Sequence, residues 1–90
     1  MTLSFLEKYQ SEKTWQGKVQ VIEIYHLAMS YRWRDWTLSK TAEHFKVSIG
    51  LVSENLRLAL AIHTNDAILK CESRQDALKK LTSGGRNGKL

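Results

Sequence analysis

Between Lys40 and Arg57 the chain carries the residue types that handle a charged, groove-bearing partner. Lys40, His44 and Lys46 stand close together as potential phosphate contacts. Ser48, Ile49, Gly50, Ser53, Glu54 and Arg57 follow at spacings that share one side of a helix. A serine hydroxyl can bond a phosphate, an isoleucine offers an apolar contact, and a glycine lets a backbone come close. A glutamate accepts from an amino group, and Arg57 suits a phosphate. Just upstream, Arg32, Trp33, Arg34 and Trp36 form a basic-aromatic cluster, with Arg32 and Arg34 as auxiliary phosphate contacts. The plainer reading of the charged residues is a solvated face, and of the two tryptophans a core or interface anchor.

No other constellation points to chemistry. His26, His44 and His63 are far apart, and none has a second ligand at metal-binding spacing. Gly84-Gly85 follows a helical stretch instead of preceding one, which is the wrong order for a phosphate-binding loop. No serine has an evident base, and Cys71 stands alone. The expectation is no enzyme, no metal and no cofactor.

Six helical stretches must position these residues. Leu3 to Gln10 has apolar residues three and four apart. Trp15 to Tyr31, with Thr14 as its cap, contains the β-formers Val19, Val21, Ile22 and Ile24. Its three-to-four spacing and unbroken length nevertheless exceed what a strand needs, and predict a long, largely buried helix. Residues 32–36 connect to a helix that Thr37 caps and Phe45 ends. After a short turn, Ser48 caps a helix to about His63, with Val52, Leu56, Ala59 and Leu60 as its apolar stripe and Leu51 and Leu58 flanking it. A short helix over 64–70 follows, then one from Arg74 to Leu81 opened by Ser73 with Asp76 three residues on. The predicted organisation is one helical domain over 1–82, with the functional helix pair at 37–60 and a flexible basic tail over 83–90. Lys79, Lys80, Arg86 and Lys89 make this end of the chain basic.

The helix pair has the packing signature of a tight crossing. Ala42 is the small residue over which the second helix passes, Phe45 closes the first helix, Val47 points inward from the turn, and Val52 faces Ala42. On these residues the chain resembles a helix-turn-helix DNA-binding protein. Residues 40–47 (Lys-Thr-Ala-Glu-His-Phe-Lys-Val) are similar to the first helix and turn of Cro-type phage repressors. Residues 47–59 (Val-Ser-Ile-Gly-Leu-Val-Ser-Glu-Asn-Leu-Arg-Leu-Ala) look more like the second helix of ParB-type partition proteins. The resemblance spans residues 38–59 and reaches none of the first 30; the nuclease-like N-terminal domain of partition proteins has no counterpart. It departs at Lys46, where the turn usually has glycine, and at Asn55, where an apolar residue is common. A lysine at that turn must take a left-handed backbone conformation or change the turn. The resemblance implies an all-α bundle of five to six short helices whose second motif helix enters the major groove of double-stranded DNA.

Composition fits a small folded module. The chain has 90 residues, 42% hydrophobic and 26% charged, with no proline. That allows one modest core and little depth for an enzymatic pocket. The net charge of +5 attracts polyanions over about 8–10 Å in physiological salt. No apolar run approaches the roughly 20 residues that span a bilayer, and no signal peptide follows Met1, so no membrane partner and a cytoplasmic, nucleoid-associated location are expected. One recognition helix makes few base contacts, so a homodimer reading paired half-sites is expected. The function expected is a small phage, plasmid or bacterial transcriptional regulator or a partition-like module. A DNA-recognition protein like a phage terminase small subunit is close to it. A helical protein-binding adaptor or inhibitor is the alternative of a different class.

Overall fold

The computed structural model describes residues 4–87, with side chains as far as Leu81, and is all-α. Six helices form one bundle: α1 (Phe5–Ser11), α2 (Trp15–Arg32), α3 (Leu38–Phe45), α4 (Ile49–Thr64), α5 (Asp66–Leu69) and α6 (Arg74–Asn87). No strand occurs among the described residues, and no helix there is long and apolar enough to cross a membrane. The β-formers of α2 are therefore helical. Val19 and Ile22 lie fully buried on one side of the helix, so tertiary burial outweighs their local preference.

The ends are set by side-chain caps. Ser4 and Glu7 make a reciprocal capping box on α1. The hydroxyls of Thr14, Thr37 and Ser48 accept from the amides of Gly17, Lys40 and Leu51, and the Asn65 side chain accepts from Ala67. Ser73 Oγ accepts from the Asp76 amide at 3.1 Å.

α2 and α4 run through two adjoining apolar clusters. One joins Ile22, Tyr25, Ala42, Phe45 and Val52, covered by Phe5, Leu6 and Tyr9 of α1. Tyr25 is its hub: its ring meets Phe5 at 5.4 Å, Phe45 at 5.2 Å and Trp36 at 6.0 Å, all edge-on. The other joins Val19, Leu58, Ala59, Ile62, Ile68 and Ala77. Two long-range bonds close it: Trp15 Nε1 donates to the Cys71 carbonyl at 2.8 Å, and Gln16 Nε2 donates to the Leu69 carbonyl at 2.7 Å.

Two expectations are corrected here. Leu60 is 68% exposed while Leu58 is fully buried, so the inward stripe of α4 is Val52, Asn55, Leu58, Ala59 and Ile62. The cause is the second cluster: α5 and α6 cover that side of α4 and leave the Leu60 side open. The last helix also runs past Leu81: α6 continues to Asn87, through residues 83–87 of the expected tail. Propagation adds one backbone bond per residue and no proline intervenes, so the cost of Gly84 and Gly85, about 1 kcal/mol each, does not end it. Residues 88–90 of the expected tail lie outside the described residues.

Candidate nucleic-acid interface

The corner between α3 and α4 is held by one strained residue. Lys46 has φ 59° and ψ 43°, the one positive φ outside glycine among the described residues. Its amide donates to the Glu43 carbonyl at 3.3 Å, and the next amide, of Val47, donates to the Ala42 carbonyl at 3.0 Å. These paired bonds are a Schellman stop, which uses a left-handed residue to satisfy the last carbonyls of a helix. A lysine here costs about 1–2 kcal/mol of backbone strain relative to a right-handed conformation. The burial of Ala42 and Phe45 on one side of the turn and Val52 on the other holds it in place.

α3 is also fixed from beneath. The fully buried Thr41 receives the Trp36 indole N–H at 2.8 Å. Its oxygen lies 2.7 Å from His26 Nδ1, so its hydroxyl proton is free to go to a neutral imidazole. Burial lowers the His26 pKa from its usual value, which favours the neutral ring. Burial likewise raises the Tyr25 phenol.

The corner leaves the first turn of α4 open. Ser48 and Gly50 are exposed and Ile49 is 50% exposed. A Cβ added at Gly50 would meet only Ser48 Oγ, at 4.0 Å, so nothing inside the protein requires glycine there. Lys40 and Lys46 are both exposed. Lys40 lies over the Trp36 ring at 5.5 Å and 3.6 Å from Asp35, a pair too solvated to hold it firmly. Arg57 is exposed two turns further along α4. Arg32 and Arg34 are exposed at the end of α2, and the Arg32 guanidinium sits 5.6 Å from the Trp33 ring centre.

Three residues expected at this interface are placed differently. His44 is turned inward: its ring stacks on Tyr25 at 4.2 Å, and Nε2 is buried without a hydrogen-bond partner. The ring completes the aromatic cluster under α3, which removes it from the phosphate set. Glu54 is engaged by Arg74 of α6, whose Nη2 donates to its carboxylate at 2.7 Å, so it is not a free acceptor for a base. Ser53 is half-buried on the edge of an open hollow between α2 and α4. The structure thus leaves Lys46, Ser48, Ile49 and Gly50 exposed at the turn and the first turn of α4, with Ser53 half-buried one turn further on and Lys40 exposed in the first turn of α3, whereas His44 and Glu54 are engaged by other residues.

Arg74 was not singled out in the sequence. Its Nε donates to Asn55 Oδ1 at 2.7 Å, and Asn55 is 1% exposed. This explains the polar residue where an apolar one is common, because a buried amide is tolerable once paired. The signal was Asn55 itself, a polar residue on an inward face that needs a donor from elsewhere. The hollow, of about 380 Å³, was missed as well. Leu27, Leu38, Leu56 and Leu60 line it, with Glu23 and Arg57 at the rim. Compared with protein-family models, curated proteins and solved structures, the chain matches none.

Proposed function

We propose that the chain binds double-stranded DNA through α3, the turn and the first turns of α4, with the start of α4 in the major groove. The observation that carries this is the corner itself. A left-handed Lys46 and a buried Ala42 aim an α4 N-terminus that is capped, exposed and unobstructed at Gly50, with the exposed Lys46 at the turn and the exposed Lys40 in the first turn of α3. Lys40 and Lys46 hold phosphates, Ser48 and Ile49 meet base edges, and Arg57 follows the backbone. Arg32 and Arg34 extend the basic surface past the start of α3. The biological role that fits is a small phage, plasmid or bacterial regulator or partition-like module at the nucleoid, with a terminase-like packaging role beside it. The apolar hollow beside α4 favours a second reading, a protein-binding adaptor, because apolar walls offer nothing to phosphate.

Selection of binding duplexes from a random pool, then competition at two salt concentrations, separates the two readings. Lys46→Ala and Lys40→Ala are expected to weaken all sequences alike and to lower the log-log salt slope by about 1 each. Ile49→Ala is expected to change base preference with the slope unchanged. Salt-independent binding, or none, leaves the adaptor reading standing.

A further inference from the structure

The outward side of α2 is apolar, continuous and uncovered. Ile24 is 55%, Leu27 58% and Tyr31 96% exposed. With Gln20 they sit at spacings of four, three and four, the seam along which two helices pair. Leu60 of α4, 68% exposed, extends the surface across the hollow that Leu27 and Leu60 both line. We infer that this face is the contact between two copies of the chain, related by a two-fold axis beside Leu27 and Ala28 with the two α2 helices antiparallel.

Three observations select a second copy as the occupant. The first is self-complementarity. An axis between positions 27 and 28 sets Ile24 of one copy against Tyr31 of the other, and the exposed Ala28 leaves room for the facing Leu27. The Tyr31 ring, the most exposed large apolar group among the described residues, then lies against the rim of the second copy's hollow, and each copy offers both ring and hollow. The second is charge. The chain carries +5, yet Gln20, Ile24, Leu27, Ala28 and Tyr31 include no charged residue. The nearest acid, Glu23, is 14% exposed and lies 3.4 Å from His63, and Arg57 borders the same hollow, so the charges around the face are of mixed sign. The third is area. The exposed parts of Ile24, Leu27, Tyr31 and Leu60 come to about 500 Å², at the upper end of what a monomer shows. With their polar margin they approach the roughly 800 Å² per partner of a stable interface.

The inference stands independently of DNA binding, because its readout is mass. Sedimentation velocity of the full chain from about 5 to 500 μM is expected to show conversion to twice the monomer mass. Leu27→Glu and, separately, Tyr31→Lys are expected to weaken self-association at least tenfold with unchanged far-ultraviolet circular dichroism; Leu69→Glu on α5 is expected to leave it intact. In a Cys71→Ala background, Ala28→Cys is expected to cross-link through a short bis-maleimide, and Gln75→Cys on α6 is not. A monomer throughout the range overturns the inference. So does a dimer that survives both Leu27→Glu and Tyr31→Lys, which would place the contact elsewhere, or one that cross-links through Gln75→Cys and not Ala28→Cys.

Discussion

The α3–α4 corner and the outward side of α2 are built from similar residues to different ends. At the crossing beneath the corner the apolar side chains are buried: Ala42, Phe45 and Val52 are at most 3% exposed, Thr41 is bonded beneath them, and a strained Lys46 is tolerated to keep the crossing. On the outward side of α2, Ile24, Leu27 and Tyr31 are as apolar but touch mainly solvent. One helix serves both surfaces, since Ile22 and Tyr25 face the corner. A crossing that must hold its angle is buried against its neighbours, whereas the outward side of α2 stays open.

Substitutions should separate the two regions most sharply in stability. Ala42→Leu forces three heavy atoms into the crossing and is expected to cost about 1–3 kcal/mol in a denaturant melt. Leu27→Glu, measured on dilute monomer, is expected to stay within about 0.5 kcal/mol. Equal losses at the two sites would end the distinction.

A smaller effect of opposite sign is expected at the turn. Lys46→Gly relieves the left-handed strain at some cost in chain entropy, for a net gain of about 0.5–1 kcal/mol. The same change removes a proposed phosphate contact, so melting temperature should rise while DNA affinity falls. If both rise, Lys46 has no part in binding.

The smallest effect concerns pH. Burial places the folded His26 pKa below its ordinary 6.5. As pH falls through that value the unfolded chain takes up the proton first, so stability is lost on the acid side and is unaffected above it. The ring is only partly buried, and the slope should be shallow. His26→Gln should flatten it, and an unchanged slope would show that the Thr41 contact does not sense protonation.

Much of the corner was readable because its demands are local. Thr37, Ser48, Ala42, Phe45, Val47 and Val52 each occupy the position that a capped, crossing helix pair requires, and the left-handed Lys46 is one of the two outcomes that the missing glycine left open. What could not be read depends on residues distant in the chain. Glu54 has an outward position on α4, and only the packing of α6 brings Arg74, 20 residues on, to its carboxylate. His44 stands where phosphate contacts are common, and only the meeting of α2 with α3 supplies Tyr25 as its stacking partner. Leu60 and Leu58 differ by two positions on one helix, and where α5 and α6 fold back decides which is inside. The exposed stripe of α2 was present as spacing, but a helix with apolar residues on two sides reads as wholly buried until one side is found bare.

The bond from Trp15 to the Cys71 carbonyl spans 56 positions and bears on how the chain is made. A polypeptide emerges from the ribosome N-terminus first. The Ile22–Tyr25–Ala42–Phe45–Val52 cluster draws only on α1 to α4 and can assemble once α4 is out. Val19, Leu58 and Ile62 must wait for Ile68 and Ala77, and Trp15 for Cys71, before they are covered. Until then the nascent chain has all the residues of the first cluster but lacks the cover of the second and the Arg74 donor that Asn55 needs. A messenger cut short after α4 would leave Val19, Leu58, Ala59 and Ile62 without the cover that Ile68 and Ala77 supply.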